Sequence, residues 1–255
     1  MYNLSPYVGF FLIEYKRILV YLPDQFYKAL LLILRIALPY TIFSGLVVSG
    51  KITQEMANTL VWSVLGGQIL NLASMRLFDN IRDDIRSGDI VLRLQEPINY
   101  AGAMFSRAFG YFIPTFFLLM ILFFIPCYIL FPIKIQFFTL IIFTILSFIL
   151  RTVINILLGL SNFFIEQNEG IFWIINKMFF VFGNQVVPVS LMPVYVIGIA
   201  QKTPFYLSLA GPIEASTGNL DVITGFTWTI GYIILLGGMM FYLLDILRKK
   251  VILNG

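Results

Sequence analysis

Residues 135–165 read IQFFTLIIFTILSFILRTVINILLGLSNFFI, and Arg151 is the one charged side chain in that run. The hydrocarbon core of a bilayer is about 30 Å thick and a helix rises about 1.5 Å per residue, so roughly 20 mostly apolar residues make a span. The run exceeds that length. It lacks the apolar–polar alternation of about ten residues that marks a membrane β-barrel strand, which excludes a barrel. Five further windows behave alike. Ala29–Gly50 is apolar apart from Arg35, and Met56–Met75 carries no charge. Ala108–Ile133 is charge-free but punctuated by Pro114, Pro126 and Pro132. Gly170–Gln201 contains only Lys177, and Val222–Leu244 contains no charge. Six windows predict an all-α integral membrane protein with six transmembrane helices.

The composition of the 255-residue chain agrees, with 59% apolar and 12% charged residues and a mean hydropathy of +0.90. A soluble domain carries about 25% charged residues. With no His and one Cys (Cys127), the chain holds no His triad, no His metal site, no internal disulfide and no CxxC cluster. The predicted site list therefore has no catalytic residue and no metal ligand.

Lys and Arg near the span ends orient the bundle. With the N-terminus inside, the cytoplasmic flanks hold Lys16, Arg17, Lys28, Arg76, Arg82, Arg86, Arg93, Arg107, Lys177, Arg248, Lys249 and Lys250. The outer loops hold Lys51, Lys134 and Lys202. Both termini are thus expected in the cytoplasm and the chain in the cytoplasmic (inner) membrane. The net charge of +4 follows from this bias, with no nucleic acid needed to explain it. No cleavable signal is expected, since the apolar stretch Val8–Ile13 is short and lacks a basic leader. Instead Val8, Phe11, Leu12, Tyr15, Ile18, Leu19 and Leu22 recur at helical spacing, with Glu14 and Arg17 opposite and Pro6 and Pro23 as bounds. That pattern predicts an amphipathic helix on the inner interface; a helix tucked under the bundle is the alternative.

Charge concentrates between the second and third windows. Nine charges fall from Arg76 to Pro97: Arg76, Asp79, Arg82, Asp83, Asp84, Arg86, Asp89, Arg93 and Glu96. Phe78, Ile81 and Ile85 share a helical face, and Ser87-Gly88 reads as a helix stop. Asp89 would cap a second short helix, Ile90–Gln95, ended by Pro97. Four Arg nearly balance five acids, so the segment reads as a docking surface for a soluble partner or as an ordinary solvated loop.

Ile85-Arg86-Ser87-Gly88-Asp89-Ile90-Val91, followed by Leu92-Arg93-Leu94-Gln95-Glu96-Pro97-Ile98-Asn99-Tyr100, resembles the loop of ABC-transporter permeases of the type-2 exporter class. The likeness is to six-span permeases similar to drug and viologen exporters. Members typically read Ile-Arg-Ser-Gly-Asp/Glu, then Leu-Leu-Arg-Pro. Here Gln95-Glu96 replaces Leu-Arg, which reverses the charge before Pro97 and bears on partner choice. The resemblance implies that Ile81–Pro97 couples to an ATPase subunit, with Ile81, Arg82, Ile85, Arg86, Asp89, Arg93 and Pro97 as coupling residues. It also implies two separate ATPase subunits carrying ATP and magnesium, and a second permease chain, identical or homologous, with membrane lipid around both.

Pro188, Pro193, Pro204 and Pro212 lie within 25 residues, beside Gly183, Gly198, Gly211 and Gly218. Asn184–Thr217 therefore cannot be one helix, yet it is too apolar for a hydrated loop. Short half-helices dipping into the outer leaflet reconcile the two facts. The family has a similar pattern, an outer re-entrant hairpin. Pro188, Pro204 and Glu214 are its candidate outer gate, although Glu214 reads more readily as a water-facing rim residue.

Among intramembrane polar residues, Arg151 is the costliest, at about 2.5–3.5 kcal/mol on insertion scales. It faces a wet cavity or an anionic headgroup, or it snorkels or pairs within the bundle, with Asn155 one turn on as a partner. Arg35, nearer the inner interface, is expected to snorkel. Gln68, Asn71, Arg151 and Asn155 are candidate translocation-path residues, and the amides serve equally as interhelical glue. Gly45-Leu46-Val47-Val48-Ser49-Gly50-Lys51 approaches a P-loop, but Ile52 replaces the required Ser or Thr, and the segment ends a span. ATP is expected on a partner.

The expected organisation is an interfacial helix (1–25), spans one and two (26–75), a coupling loop (76–100) and spans three and four (101–165). Span five with the hairpin (166–221), span six (222–247) and a cytoplasmic tail (248–255) follow. The expected function is the permease subunit of an ATP-driven exporter of a hydrophobic or amphipathic substrate such as a drug, lipid or peptide, itself no enzyme. A secondary transporter driven by an ion gradient is the alternative, and a lipid-handling enzyme lacks an acid–base pair.

Overall fold

The computed structural model describes residues 5–165 and 168–254. Residues 1–4 of the expected interfacial segment, 166–167 of the span-five segment and 255 of the tail lie outside the described residues. Every described element is helical. A first pair, α1 (Ser5–Val20) and α2 (Leu22–Val48), leads into α3 (Gln54–Ala73). The charged segment forms α4 (Leu77–Ser87) and α5 (Asp89–Gln95), after which α6 (Tyr100–Leu119) continues through a π turn into α7 (Ile125–Leu130). Then come α8 (Phe137–Leu160) and α9 (Glu169–Phe182), three short helices α10 (Val194–Ala200), α11 (Pro204–Leu207) and α12 (Gly211–Thr217), and the long α13 (Val222–Asn254).

Four stretches are long and apolar enough to cross a membrane: Pro23–Val48, Tyr100–Leu130, Phe137–Ser161 and Val222–Lys250. The protein is thus an all-helical, membrane-embedded chain. The two other expected windows are not among these four stretches. Met56–Met75 lies largely in α3, a 20-residue helix whose Gln54, Glu55, Asn58, Gln68 and Asn71 dilute its hydropathy. It is buried by its neighbours along most of its length, with Trp62, Val64 and Leu65 sealed from solvent. The window Gly170–Gln201 stops being helical at Gly183, so α9 has 14 residues and is about 21 Å long. The cause is local: Asn184 takes a left-handed φ of 52°, Pro188 follows it, and an α-helix resumes only after Pro193, as the short α10.

Caps and defects match the side chains. Thr53 Oγ1 accepts from Met56 N (3.2 Å) and Asn99 Oδ1 from Gly102 N (3.2 Å), so α3 and α6 begin on capped turns. Pro126 has no N–H, and its ring crowds the carbonyl four residues back. The π turn Met120–Phe124 just before it, closed by Ile125 N on Met120 O, widens the helix and absorbs that mismatch without ending it.

Glycines set the helix–helix distances. Along α6, Gly102, Ser106 and Gly110 make a small-residue seam on which α1 lies; a methyl at Gly110 would run into the Phe11 carbonyl, and one at Gly102 would lie 2.8 Å from Tyr7. This packing reverses the expected polarity of α1. Glu14 is 1% exposed and turns inward, while Val8 and Leu19, at 52% each, turn outward. The reason is Arg107 on α6, whose Nη2 (2.9 Å) and Nε (3.0 Å) both reach Glu14 Oε1. Arg17 adds a second cation at 3.2 Å. A paired carboxylate inside and an apolar face outside suit a helix whose outer side meets lipid.

At the centre, Gly67 of α3 faces the Gly183 carbonyl so closely that a Cβ would collide with it. Gly67→Ala is therefore expected to cost on the order of 1–3 kcal/mol, whereas Gly237→Ala, with open space around its Cα, stays within about 0.5 kcal/mol of the parent. Thermal unfolding of both purified proteins in mild detergent checks the contrast, and an unaffected Gly67→Ala protein would contradict this packing.

Candidate functional site

A hollow of about 810 Å³ in the bundle is walled by α2, α3, α8 and α9 and reaches from the start of the charged segment to the break after α9. All four candidate path residues, Gln68, Asn71, Arg151 and Asn155, line it. So does Arg35, which does not snorkel away: its Nη1 donates to Gln68 Oε1 at 2.9 Å, joining α2 to α3. Pro39, one turn further along α2, cannot supply a helical donor to the Arg35 carbonyl, so this polar spot also lies at a weak point of the helix. Lys28 closes the near side, bonded to Tyr111 Oη (2.6 Å) and Asp24 (2.6 Å).

Arg151 is 7% exposed and has no carboxylate partner among the described residues. Its guanidinium carbon sits over the Phe179 ring, 3.4 Å from the centroid, and Nη2 donates to Asn71 Oδ1 at 3.3 Å. Nε and Nη1 make no hydrogen bond. Asn155 does not pair with the guanidinium, contrary to one expectation; its amide donates back to the Arg151 carbonyl (2.9 Å), because residues four apart on a helix meet through the backbone here.

Beyond the far end of this cavity lies a polar lattice around the broken segment. Gln68 Nε2 donates to the Gln185 carbonyl, and Gln185 Nε2 returns to the Gly67 carbonyl (2.9 Å) and to that of Gly183 (3.2 Å). Asn184 accepts from Val189 N (2.8 Å) and donates to Glu214 Oε1 (2.7 Å). Glu214 also receives Ser63 Oγ and Asn219 Nδ2 (2.8 Å). Glu214 is 1% exposed, so the water-facing rim reading is corrected: three donors hold its carboxyl inside the protein, fastening α12 to α3 and to the turn after α9. Of the other gate candidates, Pro188 is buried in that turn and Pro204 opens α11, both apart from the cavity lining.

The charged segment folds as a helical elbow. Gly88, with φ of 80°, ends α4 and starts α5 in one step, and Ser87 Oγ accepts from Asp89 N (3.3 Å). Asp89 is therefore the first residue of α5 and not its cap. Leu77, Phe78 and Ile81 are fully buried, and a Cβ at Gly159 of α8 would lie 2.7 Å from Ile81, so α4 is seated on α8. Phe78 stacks on Phe172 of α9 at 3.9 Å. Ile85 is half-buried, Arg82 is held by Asp79 (3.2 Å) and Glu169 (3.5 Å), and Arg93 pairs with Asp84 (2.6 Å). Asp89 and Pro97 point to solvent with Leu92, and Arg86, also exposed, has Nη2 3.6 Å from Glu169 Oε1.

Residues that the sequence reading did not single out as site residues carry much of this: Ser63, Asn184, Gln185, Lys28 and Tyr111. An amide pair directly after a glycine and ahead of prolines is the signal that could have marked Asn184 and Gln185. The near-P-loop sits at a helix end, with Ser49 and Gly50 turning the chain from α2 towards α3, so it has no strand-to-helix geometry. Among the described residues, no three of His, Cys, Asp and Glu converge as a metal cluster.

Burial raises the Asp84 carboxyl above the ordinary aspartate range, against the lowering pull of Arg93 and of the Tyr100 hydroxyl at 3.1 Å. A carboxyl raised on folding favours the fold below its unfolded pKa, and that advantage is lost as pH rises through its folded pKa. Asp84→Asn should therefore gain stability relative to the parent as pH rises through that window. Arg93→Met, which strands the carboxylate, should lose about 1–3 kcal/mol at neutral pH. Thermal midpoints measured from pH 4 to 8 check both. No protein-family model matches the sequence, and no curated protein matches it at a significant level.

Proposed function

We propose that the chain is the permease subunit of an ATP-driven exporter in a cytoplasmic membrane. It would cross six times, with both termini inside and α4 and α5 as the dock for separate ATPase subunits that bind ATP and magnesium. The reading stems from the resemblance of Ile85–Tyr100 to type-2 exporter permeases. One structural observation carries it furthest. The elbow of α4 and α5 exposes Arg86, Asp89 and Leu92 while its other face is wedged, through Ile81, onto Gly159 of α8. The same helix presents Asn155 and Arg151 to the cavity one and two turns away. A push on the exposed elbow therefore reaches the cavity wall through a single rigid element.

In this mechanism ATPase closure would tilt α4 with α8, change the width of the cavity between α8, α9, α2 and α3, and move an amphipathic substrate from the inner leaflet outward. The helices α10, α11 and α12 would form the outer hairpin with Pro188, Pro204 and Glu214, where Glu214 serves as an anchor of the lid. A second permease chain would complete the path, α3 and α9 counting as spans within that assembly.

Reversing the charge at Arg86 (to Glu) or Asp89 (to Lys) is expected to leave the thermal midpoint within about 0.5 kcal/mol of the parent, since both side chains are exposed. Either change should lower substrate-stimulated ATP hydrolysis by the native complex at least about tenfold. Purification under mild detergent without any ATPase subunit would overturn the proposal. Transport that follows an ion gradient and survives ATP depletion would point instead to a secondary transporter, whose broken helices and Arg151 would then form the substrate site.

A further inference from the structure

We infer that the cavity walled by α2, α3, α8 and α9 binds amphipathic anions, with a phosphate or carboxylate head at Arg151 and an apolar tail along the aromatic wall. This deepens the proposed function by naming the substrate class, and it rests on that reading only in calling the ligand a substrate.

Charge balance is the first observation. Among the described residues the lining holds six cations, Arg17, Lys28, Arg35, Arg76, Arg151 and Lys177, and two carboxylates, Asp24 and Asp79. Local partners account for part of it: Lys28 takes Asp24, Arg17 takes Glu14, and Asp79 takes Arg82. Arg35, Arg76, Arg151 and Lys177 have no carboxylate partner among the described residues. A low-dielectric enclosure with that surplus attracts anions and repels cations.

Arg151 is the focus. A buried guanidinium is ordinarily neutralised by a paired carboxylate, and this one has none among the described residues. It sits over the Phe179 ring and spends one N–H on Asn71, leaving Nε and Nη1 unbonded. A planar fork with spare donors suits a two-oxygen anion, which it takes through paired hydrogen bonds. Arg35, committed to an amide oxygen, and Lys177, near the Trp173 and Phe180 rings, would add long-range attraction.

Beside the amides of the lining, Leu31, Leu72, Met75, Trp173 and Phe180 give the wall an apolar stretch, and about 810 Å³ falls within the range of small-molecule sites. A free inorganic anion would leave that surface wet. An acyl or aryl tail would cover it.

Equilibrium binding to the purified full-length protein, with any subunits that accompany it, tests this through tryptophan fluorescence, because Trp173 lines the cavity. The probes are oleoyl lysophosphatidic acid, oleoyl lysophosphatidylcholine and inorganic phosphate. The anionic lysolipid should bind at least about tenfold tighter than either of the others, and Arg151→Met should lose at least about tenfold. The unliganded thermal midpoint of Arg151→Met should stay level or rise, since an uncompensated buried charge is removed. If that variant does not fold, Lys177→Gln, at an exposed position, should lose about threefold. Equal binding of the two lysolipids, phosphate binding as tight as the anionic lysolipid, or unchanged affinity in the variants would overturn the inference. The assay contains no ATP. Anion binding without a co-purifying ATPase would thus sink the exporter reading alone, and an ATPase complex without anion selectivity would sink this site alone.

Discussion

The structure depends on a broken backbone finding hydrogen-bond partners inside the protein. Between Gly183 and Gly218 the chain turns repeatedly through apolar surroundings, and each exposed N–H or carbonyl there would cost several kcal/mol. α3 supplies the remedy. Its glycine at 67 lets the turn come close, Gln68 and Gln185 exchange amide bonds with the two backbones, and Ser63 meets Glu214 from across the gap. Ser147 of α8 adds a bond to the Leu207 carbonyl at 2.9 Å. A helix with so many obligations must sit inside the bundle, which is why α3 is polar for a membrane-length helix and why the longer apolar helices are arranged around it.

α8 is the second organising element. It contacts α13, α12, α4 and α6, and so touches the hairpin, the charged elbow and two membrane-length helices at once. Its residues carry the division of labour in sequence order: Ser147 for the hairpin, Arg151 and Asn155 for the cavity, Gly159 for the elbow. Spacings of four place all of them near one stripe of the helix.

Much of this was legible in the chain. Long apolar runs with few charges announce membrane helices because burial in lipid makes each charge costly, and four of them stand as continuous helices of sufficient length. The elbow was legible down to Gly88, since a glycine between two short periodic segments has one economical conformation. The gathering of Gln68, Asn71, Arg151 and Asn155 followed from their rarity in apolar surroundings. Pairing across the fold was not legible. Glu14 looked solvent-facing because it falls with Arg17 opposite the apolar positions of α1, and only the position of Arg107 on α6 turns it inward. Glu214 looked like a rim residue because its three donors come from positions 63, 184 and 219, distances in sequence that no periodicity connects.

The unpaired cations of the cavity also bear on what a membrane must keep out. A wet hollow deep in a membrane protein is a short circuit in waiting, because protons and sodium follow water wherever the barrier thins. Arg35, Arg76, Arg151 and Lys177, with no carboxylate partner among the described residues, raise the energy of any small cation that enters, as fixed positive charge does in water-selective pores. The ion gradient across the membrane would thus be guarded by the same side chains whenever the hollow is open, without any gate having to close.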